Sequence, residues 1–269
     1  MRHPAPVTKP GRSVVTLLLD RSSALSPLRE DLRAGVAALL ADQAGRPGEV
    51  EVHLTSTGRR AGRLRGAIPA ADATVPALRG RRGTAAVRDA LGATIAGLGE
   101  TLAEMPEDER PERVFLLVVT AGEDAGSATW GPDELRDLVA DQERDYAWEI
   151  LTVTVAEHAG LAPWGAGHRS IGAAPTADGV RAALAAVSGY LGRAREVGPW
   201  QPVAGFSQEE RWAAYPPAFH TDETGVEATT LIPVITAERL AEADRADAEH
   251  RRRWWDLRTI TRSRKPVHA

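Results

Sequence analysis

An aspartate that ends an apolar run and is followed by small hydroxyl residues is a pattern able to hold a cation. The stretch "VVTLLLDRSSAL" (residues 14–25) has this form, with Asp20, Ser22 and Ser23 at its polar end. Two other segments carry matching chemistry. In "RGRRGTAAVRDAL", Thr84 opens an apolar periodic segment, and in "VVTAGEDAGS", Thr120, Glu123 and Asp124 follow a second apolar run. Oxygen donors of this kind suit magnesium, which takes six of them octahedrally and keeps several waters. Asp, Ser and Thr also cap helix N-termini by accepting orphan backbone N–H groups. Both roles stay open for Asp20, Ser22 and Thr84, while Glu123 and Asp124 read as solvated loop carboxylates and Asp89 as structural.

The elements that must position these residues are legible from periodicity. Residues 13–20, 113–120 and 148–156 are nearly continuous apolar runs, the pattern of strands buried on both faces. "EVEVHLTST" (49–57) alternates as a strand nearer a sheet edge does, and "GRLRGAIPA" reads as its short neighbour. Between them, residues 28–43 and 84–105 repeat apolar residues at helical spacing. A helix is also expected from Pro132, and another from a Thr176 cap to an arginine-rich end. The order β-α-β-β-α-β-α-β-α predicts an α/β fold with a doubly wound, mostly parallel central sheet, flanking helices and one antiparallel edge strand. In such sheets ligands bind beyond the carboxyl ends of the strands, where strand order reverses. Asp20 and the 120–124 segment belong to that edge.

With the motifs placed in this order, the chain resembles the von Willebrand factor type A (vWA) family over residues 12–195. That family carries a metal-ion-dependent adhesion site (MIDAS) on an Asp-x-Ser-x-Ser loop, a later Thr and a later Asp. The resemblance implies that Asp20, Ser22 and Thr84 match ligand positions. It also implies that Ala24 and Ala121 stand where a serine and an aspartate are expected, a degenerate MIDAS. Arg79, Arg81 and Arg82 approach the same edge, and cations there oppose a bound cation. An arginine of this loop, Arg81 or Arg82, is therefore expected to pair with Asp20 in place of a metal. The expected role is a non-enzymatic protein-interaction module without a cofactor, with Arg79, Arg81 and Arg82 meeting an acidic partner. The alternative is an Mg2+-dependent adhesion module. Family resemblance further implies multi-protein assemblies, including ones with AAA+ ATPases.

Composition restricts the remaining classes. The 269 residues carry a formal charge of −4, which argues against a general nucleic-acid or membrane-surface binder, and the absence of cysteine removes disulfides and thiolate chemistry. The apolar runs are too short to span a bilayer and the first residues lack a signal-peptide h-region, so a cytoplasmic, bacterial-looking protein is expected. No P-loop, nucleophile elbow or paired histidine motif is present, so no catalytic residue is nominated. Residues 196–235 are rich in Pro and Trp without a sustained period, and read as an extended arm over the domain or a partner. Residues 236–269 read as a helix and a basic tail, with six Arg and one Lys against one Asp from residue 250 onward. Trp254 and Trp255 there are candidate partner anchors. The same tail offers a second alternative, a nucleic-acid-associated factor.

Overall fold

The computed structural model describes residues 8–58, 64, 66–78, 85–122, 124–157, 159, 164 and 167–219. Six strands form one sheet: β1 (Lys9–Leu19), β2 (Glu49–Ser56), β3 (Ile68–Pro69), β4 (Pro111–Thr120), β5 (Glu149–Val155) and β6 (Ser170–Ala173). Their spatial order is β3-β2-β1-β4-β5-β6; β3 alone runs antiparallel, at the edge beside β2. The helices are α1 (Arg29–Ala44), α2 (Val87–Glu104), α3 (Pro132–Tyr146), α4 (Ala177–Arg195) and α5 (Gln208–Ala214). The doubly wound, mostly parallel sheet with one antiparallel edge strand is as expected.

The apolar runs are continuous because each central strand feeds two cores. Val15, Leu17 and Leu19 of β1, with Phe115, Leu117 and Val119 of β4, pack into the core that also holds residues of α1 and α4. Their neighbours Val14, Leu18, Val114, Leu116 and Val118 face the opposite core, with Leu91, Ile95 and Leu98 of α2 and Leu135 and Val139 of α3. The period-2 alternation of a strand thus has no polar face to display. Thr176 caps α4 by accepting the Gly179 N–H at 3.1 Å, as its sequence position predicts.

Two elements lie outside the sequence reading. β6 is only four residues, "SIGA", too short to show a period. α5 falls within the stretch read as an extended arm. Ser207 and Glu210 form a reciprocal capping box at its start, Ser207 N–H to Glu210 Oε2 at 2.6 Å and Glu210 N–H to Ser207 Oγ at 3.1 Å. Phe206 and Ala214 bury into the first core, and Arg211 donates to the Ser170 carbonyl at 2.9 Å. The segment 197–219 therefore folds back on its own domain and covers the β6 edge, which would otherwise expose unpaired backbone groups.

Candidate functional site

Strand order reverses between β1 and β4, and Asp20 leaves β1 at that point. Its N–H donates to the Val119 carbonyl at 2.9 Å, while the Thr57 N–H donates to the Leu19 carbonyl at 3.1 Å. These bonds seat Asp20 between the ends of β2 and β4, where it is only 4% exposed. A buried carboxylate must find donors, and among the described residues this one finds five. Oδ1 accepts from the Ser22 N–H at 2.8 Å and the Thr57 hydroxyl at 3.4 Å. Oδ2 accepts from the Ser22 hydroxyl at 3.1 Å, the Thr120 hydroxyl at 3.5 Å and the Ala121 N–H at 3.3 Å. Each threonine hydroxyl also accepts a backbone N–H, Thr57 from Arg21 at 3.0 Å and Thr120 from Gly122 at 3.0 Å. Gly122 has φ +87°, a left-handed conformation that suits glycine.

Asp20 and Ser22 do not cap α1: neither that helix nor the 3-10 turn before it, Ser26–Leu28, has a side-chain cap. The carboxylate binds strand ends together instead. Ser22 acts with it, and Ala121, at the position the family resemblance marks for an aspartate, contributes its backbone N–H.

A second knot lies beside the first. Asp124 accepts from the backbone N–H groups of Val87 at 2.9 Å and Arg88 at 3.4 Å, and so caps α2 from a distant loop. Arg88 Nε lies 2.5 Å from Asp124 Oδ2, off the N–H axis, so that contact is ionic. Asp89 reaches back, its carboxylate accepting from Ala128, Thr129 and Trp130 N–H groups at 2.9 Å each. Burial pushes the Asp89 carboxyl upward, but those three backbone bonds outweigh it and hold the group below its ordinary value. The Ser127 hydroxyl links the Asp124 carboxylate to the α2 first turn, accepting from the Asp89 backbone N–H at 3.1 Å and donating to Asp124 Oδ1 at 2.6 Å. The Trp130 indole lies against Gly92, where an added Cβ would come within 2.4 Å of it.

Asp20 and Ser22 are therefore brought together, and Asp124 turns out to be a helix-capping residue rather than a solvated one. Thr84, Arg79, Arg81, Arg82 and Glu123 lie outside the described residues, as do Trp254 and Trp255. The expected pairing of Asp20 with Arg81 or Arg82 falls there too. Thr57, which sequence reasoning passed over, has no local signal; only the β1–β2 register delivers it to Asp20. A signal for Asp124 existed in its place at the N-terminal end of a neighbouring helix, which only the fold reveals.

A second polar cluster sits at the opposite end of the sheet. Arg113, 4% exposed, pairs with Glu149 at 2.6 Å and donates to the carbonyls of Val197 at 2.8 Å and Gly198 at 2.7 Å. The Tyr190 hydroxyl donates to Glu149 at 2.6 Å and accepts from Arg169 at 3.3 Å, and Arg169 pairs with Glu143 at 2.5 Å. Burial lowers Arg113 from its usual value and raises Glu143.

No family model and no curated protein matches the sequence. Among solved structures, the fold is similar to the open form of the pilus adhesin SpaC from Lactobacillus rhamnosus GG. The TM-score is 0.51 at 14% identity, covering 69% of this chain and 30% of the adhesin. Proximal thread matrix protein 1 from the mussel byssus, with a zinc-occupied MIDAS motif, matches at TM-score 0.41 and 15% identity, over 68% of this chain and 46% of that one. BatB from Bacteroides thetaiotaomicron matches at TM-score 0.31 and 13% identity, over 53% of this chain and 66% of BatB. The chain spans less than a third of the adhesin and less than half of the byssus protein, and the likeness is one of fold.

Proposed function

We propose that this vWA-like domain is a non-enzymatic protein-interaction module of an intracellular assembly, and that it docks an acidic partner directly at the edge around Asp20. The observation that carries the reading is the inward use of the edge carboxylates. Asp20, Asp89 and Asp124 are turned onto backbone N–H groups and hydroxyls, so the edge offers a shaped surface rather than an acid–base pair. The fold likeness to an adhesin supports a binding role, and the arginines at positions 79, 81 and 82 supply charge for an acidic surface.

The tail is a second contact candidate, and the last described residues, 214–219, lie at the same edge. Ala174 N–H donates to the Ala214 carbonyl at 2.9 Å, and the Tyr215 hydroxyl bonds to the Glu157 carbonyl just past β5. Two to three strand spacings, about 10–15 Å, separate that point from Asp20.

Capture of partners from the source cell, with EDTA present throughout, tests the reading. The intact chain is compared with Arg81→Ala/Arg82→Ala and with a chain ending at residue 248. A partner retained in EDTA by the intact chain and lost by either variant is expected; equal capture by all three ends the docking proposal. A salt-sensitive shift of single-stranded nucleic acid by the intact chain alone would favour the nucleic-acid alternative.

A further inference from the structure

The docking reading, on which this inference rests, needs an edge of fixed shape, and the side chains that fix it are identifiable. Asp20 joins the ends of β1, β2 and β4 through Thr57, Thr120 and Ala121. Asp124 ties the loop after β4 to the first turn of α2, and Asp89 ties that turn back to residues 128–130 ahead of α3. Three carboxylates thus cross-link β1, β2, β4, α2 and the approach to α3.

The same bonds bear on whether the site fits a divalent ion. Magnesium requires octahedral oxygen donors at about 2.1 Å. Ala24 and Ala121 offer no side-chain oxygen, and Ala121 is 8% exposed with its N–H on Asp20. Turning Asp124 toward an ion would remove the acceptor of the α2 first turn and the counter-charge of Arg88. Asp89 is held by three N–H groups. Counting Thr84 as a donor, the side chains that match the family's ligand positions are one carboxylate and two hydroxyls, a weak match for an ion that must surrender water.

We infer that this edge does not take a divalent cation, and that Asp20, Asp89 and Asp124 are positioning residues that hold it in one preformed shape. The ties do internally what a bridging metal would do, and docking then needs no divalent cation.

Thermal unfolding of the intact chain in millimolar Mg2+, in millimolar Mn2+ and in EDTA tests the first half without any variant. Coincident midpoints are expected; a rise with either ion that Asp20→Asn abolishes overturns the inference. Amide hydrogen exchange tests the second half. Asp89→Asn replaces a charged acceptor by a weaker one and is expected to speed exchange at Ala128, Thr129 and Trp130 about tenfold or more. Asp20→Asn does the same at Ser22 and Ala121. Unchanged exchange at those amides in folded variants overturns the positioning roles. Ion insensitivity with no partner captured sinks the docking reading and supports the ties, whereas ion sensitivity with a partner captured does the reverse.

Discussion

Asp20 shows how far a residue's type underdetermines its use. Its carboxylate, placed after an apolar strand and before two serines, is compatible with a metal ligand or a helix cap; the structure shows that it caps neither α1 nor the turn before it and instead accepts from three chain segments. Gly92 is a second case, a glycine inside a helix where it costs about 1 kcal/mol relative to alanine. The close indole of Trp130 explains it. Gly92→Ala is therefore expected to destabilise by roughly 1–3 kcal/mol despite its better helix propensity, measurable by denaturant unfolding. A stabilised variant would show that Trp130 does not rest there.

At the scale of elements, the buried Arg113–Glu149 pair links β4 and β5 to α4 through Tyr190 and to the chain leaving α4 through Val197 and Gly198. Removing one member leaves the other charge buried. Arg113→Ala is expected to cost about 3–5 kcal/mol, whereas Arg12→Ala, whose pair with Glu51 is partly exposed, costs far less. Similar losses in the two variants would mean that water reaches the Arg113 cluster. The α5 helix carried a readable sign in its Ser207-to-Glu210 spacing, overshadowed in the sequence by the Pro and Trp around it. No such sign existed for β6, whose place comes from pairing with β5 at Thr152–Val155 and from the cover of α5.

For the whole molecule, the described residues include no helix long and apolar enough to cross a membrane, and the polar clusters sit at opposite ends of the sheet, one tying the candidate edge and the other the root of α5. His168 belongs to the latter end, where burial and then the cations Arg169 and Arg211 push it down to about 4 from 6.5. Its folded value lies below its unfolded one, so the stability tied to its neutral form is complete above pH 6.5 and is lost as pH falls toward 4. His168→Gln is expected to flatten the unfolding free energy across that window; an unaltered pH profile would discount the histidine. The sequence alone determined the sheet, its central strands and most helices, because burial on two faces and amphipathic covering are written into local apolar patterns. It also placed Asp20 at the candidate edge, beyond the carboxyl end of a central strand. Tertiary structure decided what Asp20, Asp89 and Asp124 do there. Their partners lie 37 to 101 residues away for Thr57, Thr120, Ala121, Val87 and Trp130, and a carboxylate's role is set by whichever donors the fold delivers to it when water is excluded.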